Sequence, residues 1–386
     1  MNQKVRYGMI GGGTGSFIGE VHRKAAALDG AFELVAGSFS SHPAVSKETG
    51  KRLGLPSSRV YESYEEMIET EKELPEDERM EAVSVVTPNH VHFDPADMAL
   101  QHGFHVIMDK PMTFNLKEAL QLRERVSSSG NVFALTHTYT GYPMVKEARE
   151  FVKQGKLGNI RKVYVEYPQG WLSTPLEEEG NKQAEWRTDP EKSGAGGCTG
   201  DIGTHAANMA EYVTGLKILE LCSDVSITVE GRKLDDDAAA FLKFENNATG
   251  VLMATQIAAG EENDLKLRVY GEKAGLEWTH TQPNTLLFKP LDEPAQIYRA
   301  GTGYLSETAQ KFTRLPAGHP EGYIEAFANI YLEFHRAVRD HAHGEFTSDT
   351  DYDYPTVEDG VRGMAFIETM LQSANSETKW TKIHTS

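Results

Sequence analysis

The stretch KVRYGMIGGGTGSFIGEVH, residues 4–22, decides the fold. Apolar positions run into five glycines within nine residues, Gly11 to Gly19. Ordered glycine costs backbone entropy, so a cluster needs a reason. Strand, glycine turn and helix together let a backbone approach a pyrophosphate closely, with the amides and dipole of the helix start facing the phosphate oxygens. The usual spacing is G-x-G-x-x-G. Here Gly11, Gly13 and Gly15 are followed only later by Gly19, so the loop is longer. A plain tight turn is the competing reading; the flanking strand and helix favour a dinucleotide. Gly11, Gly13, Thr14, Gly15, Phe17 and Ile18 are its candidate contacts.

Outward from this loop, strand and helix patterns alternate. Strands are expected at Val5–Ile10, Glu33–Phe39, Val60–Tyr61, Ala82–Val86 and Val106–Met108, and helices at Phe17–Ala27, Ala44–Leu53, Tyr64–Glu69, Asp94–Gln101 and Leu116–Val126. Residues 70–80, TEKELPEDERM, read as a charged surface excursion. Such alternation predicts a doubly wound parallel sheet. After about residue 135 longer β-type runs take over, from Arg161–Tyr167 to Gly275–Trp278, with helices at Met144–Lys153 and Ile202–Val213. Helices at Ile324–Asp340 and Val357–Ala374 close the chain. The expected fold is α/β: a doubly wound parallel-sheet domain at 1–135 and an α+β domain on a mostly antiparallel sheet at 136–386. A C-terminal helix of the second domain could pack back on the first. Only the last residues, SETKWTKIHTS, are expected to be loose.

Composition narrows the partners. The 386 residues carry 39 basic and 57 acidic side chains, a formal charge of −18. No basic run offers a nucleic-acid surface, and the acidity argues against anionic membranes. Two cysteines, Cys198 and Cys222, make no disulfide framework. With no signal-peptide pattern and no apolar run of membrane-spanning length, the cytoplasm is the expected location.

Three more stretches matter: VVTPNHVHF (85–93), HVIMDKPMTFNL (105–116) and GAGGCTGDIGTHAANM (194–209). With the glycine loop, in this order, they resemble the Gfo/Idh/MocA oxidoreductase family across nearly the whole chain. The resemblance implies that the first domain is a Rossmann domain and that the second carries a large open sheet, with NAD(P)-dependent chemistry on a sugar or polyol and a homo-dimer or homo-tetramer formed through that C-terminal sheet. TPNHVH resembles the family's T-P-N-x-x-H, which implies Thr87, Pro88, Asn89 and His92 along the cofactor. MDKP resembles E-K-P, which implies Lys110 as the catalytic lysine, a cis bond to Pro111 and Asp109 in place of a glutamate. GDIGTH resembles D-x-G-x-H, which implies Asp201 and His205 in the active site; where that motif often continues with an aspartate, this chain has Asn208. The end of the second strand, AGSFSSHP (36–43), holds neither acid nor arginine. Ser38 and Ser40 are its candidate cofactor contacts, and NAD and NADP both stay open.

Oxidising a secondary alcohol needs a base for the hydroxyl proton and a fixed positive charge for the developing alkoxide. Imidazole suits the first, since it titrates near neutrality, and an ammonium suits the second. His205 and Lys110 are the candidates, with Asp201, four residues before His205, orienting it on a shared helix face. Taken singly, each has a plainer reading: a lysine before proline as a surface turn, the Asp–His pair as a solvent-facing helix couple. His90 and His92 have metal-like H-x-H spacing, but no third ligand lies nearby and no metal is assigned. Cys198 lacks a local base and reads as a small apolar filler. Aromatics beside polar donors suit a carbohydrate, so Tyr142, Arg187, His319 and Tyr323 join Lys110, Asp201 and His205 as candidate substrate contacts. Tyr139, Gln169, Trp171 and Trp186 lie in the same stretches, and aromatics at such places are also commonly core. Two other functions remain: a redox-neutral glycosidase that oxidises, eliminates and re-reduces, and a non-catalytic dinucleotide-binding regulator.

Overall fold

The computed structural model describes residues 3–385. The chain forms two units, Met1–Thr138 with Phe327–Val361 and Tyr139–Ala326 with Arg362–Ser386. A single division after residue 135 therefore misses residues 327–361, which belong to the first unit.

In the first unit, β1 (Val5–Gly11), α1 (Phe17–Leu28), β2 (Phe32–Ser38), α2 (Pro43–Arg52), α3 (Tyr64–Glu73), β3 (Ala82–Val86), α4 (Phe93–Gln101), β4 (His105–Met108), α5 (Leu116–Ser129) and β5 (Phe133–Leu135) follow in order. The sheet is all parallel, in the order β2-β1-β3-β4-β5. Every residue of β3 and β4 is buried, as expected of strands covered on both faces. The expected strand at Val60–Tyr61 is only an isolated bridge from Val60 to Gly37.

The charged stretch 70–80 is not a mere surface excursion. Helix α3 runs on to Glu73, and Glu71 is 0% exposed. Its carboxylate accepts from Arg59 Nε at 2.9 Å, Tyr61 Oη at 2.9 Å and Met80 N at 3.0 Å, with a further contact to Arg59 Nη2. A buried charge is tolerated only when it is paired and hydrogen-bonded. Alternation of charge in the sequence does not reveal which acid receives such a set.

The second unit holds α6 (Pro143–Lys153), β6 (Ile160–Pro168), α7 (Lys182–Arg187), α8 (Pro190–Ser193), α9 (Thr204–Thr214), β7 (Ile218–Ser226), β8 (Asp237–Phe244), β9 (Thr249–Thr255), β10 (Lys266–Gly271), β11 (Ala274–Thr279), β12 (Thr285–Pro290), β13 (Gln296–Arg299) and α10 (Glu307–Lys311). Helices α11 (Tyr323–Ala342) and α12 (Val357–Ala374) and strand β14 (Thr381–Lys382) complete the chain. The sheet order is β13-β12-β11-β10-β6-β9-β8-β7-β14; β6 pairs with β9 in parallel, and its other pairs are antiparallel. Helices α6 and α9 join these strands in one hydrophobic core. The C-terminal tail, expected to be loose, instead adds β14 to β7, and Trp380 lies under the Lys243 ammonium at 4.1 Å. Ser386 lies outside the described residues.

Two predictions follow from the first unit. A β-carbon on Gly19 would stand 2.3 Å from the Gly12 α-carbon. Gly19→Ala is expected to cost ~2 kcal/mol in denaturant unfolding, and unchanged stability would contradict this packing. Burial holds His22 down to about 4, and His105 and His137 to about 3, from 6.5. Below pH 6.5 the unfolded chain then binds protons that the folded chain refuses, so stability present above that pH is lost as pH falls. Melting temperature should drop steadily from pH 6.5 toward pH 4; the limiting slope is about 1.4 kcal/mol per histidine per pH unit. A flat profile would show that these rings are not buried neutral.

Candidate functional site

The first unit presents its loops at the carboxyl ends of the parallel strands, where ligands of open α/β sheets bind. β1 ends at Gly11, whose φ is +82° and where a β-carbon would stand 2.8 Å from Val86 O. Ser16 caps α1 through Gly19 N at 3.2 Å. Between them Thr14, Gly15 and Phe17 are exposed, and Ile18 is half-buried. Arg23 Nη1 donates to Gly12 O at 2.7 Å, and Arg52 Nη1 donates to Thr14 Oγ1 at 3.1 Å. An exposed loop at a capped helix start, braced by two guanidinium groups, fits a pyrophosphate in both shape and charge. Gly13 packs beside Phe39 O, with room for no β-carbon. Ser38 is buried at the end of β2, and Ser40 Oγ accepts from His42 N at 3.1 Å, so Ser40 also closes a turn.

His92 joins two of the loops that the resemblance places along the cofactor. It is 1% exposed, and its two ring nitrogens lie 2.8 Å from Pro111 O and 2.8 Å from Thr87 O. The ring thus ties the Thr87 loop to the Lys110 loop. Burial lowers its pKa, against the pull of Asp109 and the two carbonyls. A neutral ring can donate to only one of those carbonyls. Thr87 Oγ1 donates to Val91 O at 3.0 Å, Pro88 is exposed, and Asn89 is buried. Asp109 Oδ1 accepts from Lys110 N at 2.9 Å and Thr136 Oγ1 at 3.0 Å. The Lys110–Pro111 bond is cis; Pro111 is buried and Lys110 half-buried.

In the second unit the parallel pairing of β6 and β9 aligns their carboxyl ends, so Gln169 N donates to Thr255 O at 2.8 Å. Gln169 and Gln256, the next residues on each strand, are therefore neighbours. Gln256 Nε2 reaches Asp201 Oδ2 at 2.9 Å and Gln169 Oε1 at 3.3 Å. Gln169 also accepts from Trp171 Nε1 at 2.9 Å and donates to Asn263 Oδ1 at 2.6 Å. Tyr167 donates to Asn263 Oδ1 at 2.7 Å, and Asn263 Nδ2 donates to Tyr139 Oη at 3.0 Å. His280 Nδ1 lies 2.6 Å from Asn263 O, which places the ring proton there and leaves Nε2 to accept from Tyr142 Oη at 3.0 Å.

Asp201 and His205 flank this chain of polar groups. A π turn, Thr199–Gly203, carries Asp201 and leads into α9, where His205 is 6% exposed. The Tyr139 ring meets His205 edge-on, with centroids 4.9 Å apart. Burial pushes the Tyr139 hydroxyl up to about 12, so it stays protonated near neutrality. Arg187 Nε stands 3.3 Å from Asp201 Oδ2, while Nη1 donates to Gln183 Oε1 at 2.6 Å. That Nε is buried yet lacks an aligned acceptor. The structure thus brings together Asp201, Arg187, His205 and, through Tyr139 at 6.3 Å, Tyr323. Tyr142 is buried against Trp278. His319 is exposed, its ring on Pro316 O of its own loop at 3.2 Å. Sequence reading missed Gln256, Asn263 and His280; a polar residue closing a β run, as in Gln256, is the signal that could have found the first.

The comparisons with known proteins agree with these halves. The family described as oxidoreductase family, NAD-binding Rossmann fold, matches residues 5–137, and the GFO/IDH/MocA C-terminal domain matches residues 145–277. An uncharacterised oxidoreductase of Bacillus subtilis is 33% identical over 383 residues, covering 98% of this chain and 97% of its own. Levoglucosan dehydrogenase of Pseudarthrobacter phenanthrenivorans is 25% identical over 306 residues, covering 74% of this chain and 76% of its own. The crystal structure of an inositol dehydrogenase homolog from Azotobacter vinelandii, complexed with NADH and myo-inositol, superposes with a TM-score of 0.92 at 35% identity, covering 99% of this chain and 98% of that one. With both family halves matched and near full-length likeness at this identity, the chain belongs to the Gfo/Idh/MocA family of oxidoreductases, and its first unit is an NAD-binding Rossmann domain.

Proposed function

We propose that the protein is a cytoplasmic NAD(P)-dependent dehydrogenase or reductase acting on a secondary hydroxyl carbon of a polyol or sugar. The observation that carries this reading is the polar cluster of the second unit. Asp201, Gln256 and the buried Arg187 Nε offer both acceptors and donors beside the His205 imidazole. Vicinal hydroxyls donate and accept in the same way, and the adjoining Trp171, Tyr139 and Tyr323 rings suit the apolar faces of a cyclic polyol. The known proteins similar to this chain support the class: one bound myo-inositol in its crystal, and another is named for levoglucosan.

Hydride acceptance is the chemistry that a bound nicotinamide supplies. The chain's own residues do the rest. The Lys110 ammonium stabilises charge on the reacting oxygen. The His205 imidazole takes the hydroxyl proton and returns it in the reverse direction. Tyr139 is no rival base, because burial holds its hydroxyl protonated. Asp201 accepts from a neighbouring substrate hydroxyl, and Arg187 keeps its charge in place. His319, exposed on its own loop, and Tyr323 are assigned to the outer part of the substrate. The described sheet leaves Phe241 and Ile297 exposed at 59% and 61%, which supports self-association through that sheet.

A steady-state assay over polyols, sugars and glycosides with NAD and with NADP, read by nicotinamide absorbance, tests the proposal. Turnover of a polyol or free sugar is expected; cleavage of glycosides without net reduction of the coenzyme would replace it with the redox-neutral reading. Lys110→Ala and His205→Ala are each expected to lower kcat at least ~100-fold while coenzyme affinity holds within a few-fold. Wild-type turnover in either variant would refute its role.

A further inference from the structure

Two acids just before β8, in the run KLDDDAAAF, belong to no part of the chemistry above, yet Asp235 is 5% exposed and Asp236 is 1% exposed. Asp236 serves its own hairpin, accepting from Thr228 N at 2.8 Å and Val229 N at 2.9 Å. Asp235 reaches across to a segment 36 to 38 residues earlier. Its Oδ1 accepts from Gly197 N at 2.6 Å, and its Oδ2 accepts from Thr199 N at 2.7 Å and Cys198 Sγ at 3.1 Å. Its backbone oxygen accepts from Cys198 N at 2.8 Å. A β-carbon on Gly197 would lie 2.1 Å from that oxygen, so the two backbones touch.

These bonds fall at the entry to the catalytic helix. Gly197 O in turn accepts from Asp201 N at 2.9 Å, and Thr199 opens the π turn that carries Asp201. The first amides of a helix have no partner within it and need an outside acceptor. No side chain caps the π turn or α9 from its own cap position. Asp235 supplies that acceptor from the segment that leads into β8.

We propose that Asp235 is a positioning residue of the active site: its carboxylate holds Gly197, Cys198 and Thr199, and so sets the placement of Asp201 and His205. The role rests on the dehydrogenase reading, but the clamp itself does not. Cys198 is the reporter of the clamp, buried and donating its thiol to the carboxylate. An amide at residue 235 offers one acceptor oxygen and a donor where the loop presents only donors, so the loop loosens locally.

The test compares Asp235→Asn with wild type by kinetics, melting and N-ethylmaleimide labelling read peptide by peptide, with Cys222 as the internal reference. Expected are a kcat at least ~10-fold lower, coenzyme affinity within about two-fold, a melting temperature within a few degrees and Cys198 labelling at least ~10-fold faster with Cys222 unchanged, a pattern that a purely global loss of stability does not produce. Cys198→Ala, which keeps the carboxylate and both amide bonds, is expected to hold kcat within about three-fold. An Asp235→Asn enzyme with wild-type kcat and a still protected Cys198 overturns the proposal. If that variant does not fold, hydrogen exchange on the wild-type protein decides. Amides of Gly197 and Thr199 should be as protected as those of α9, and exchange at loop rates overturns the clamp. A wild-type enzyme inert toward every polyol and sugar would instead sink the dehydrogenase reading, while labelling and exchange still judge the clamp.

Discussion

Backbone lies directly on backbone where α1 leaves the glycine loop, and the coenzyme face of the first unit depends on that approach. Gly19 sits against Gly12 with no room for a β-carbon between them. The contact brings the start of the helix close to the end of β1, which puts the helix amides and the Arg23 and Arg52 guanidinium groups around one exposed turn. Charge, dipole and shape then agree on an anionic ligand. The lateness of Gly19 in the sequence lengthens the turn without changing what the glycine is for.

The second unit solves a different problem. It must carry polar side chains at the end of a sheet whose core is apolar, and it does so by bonding them to one another. From Asp201 through Gln256, Gln169 and Asn263 to Tyr139, each group has a named partner. Satisfied networks of this kind hold side chains in single positions, whereas a missing partner leaves a costly buried donor or acceptor. Arg187 Nε is buried 3.3 Å from Asp201 Oδ2 without an aligned acceptor. Arg232, its side chain 1% exposed, pins the loop of Trp171 by donating to Leu172 O, Thr174 O and Glu177.

Much of this was legible in the residues. Alternating apolar runs located β1, α1, β3, α4 and α12 nearly to their ends, because burial on one or both faces dictates local pattern. Short or amphipathic pieces were not legible: β12, β13 and the tail strand β14 owe their conformation to neighbours in the sheet. Val60 looked like a strand, but only one bridge forms there. The motif histidine His92 could be found, but its task of tying two loops could not. Nothing in TPNHVH says which carbonyls its ring will meet.

The sequence by itself determined the class of fold, the coenzyme-binding turn and the family to which the chain belongs, since each is written in local pattern and motif order. Only the tertiary structure decided which polar residues are partners: Asp235 with Gly197 and Thr199, Gln256 with Asp201, Glu71 with Arg59. The reason is physical. Hydrophobic periodicity records how far a side chain is from water, and it reads along the chain. Hydrogen bonds between residues a dozen or more positions apart depend on strand order and register, which no local pattern specifies.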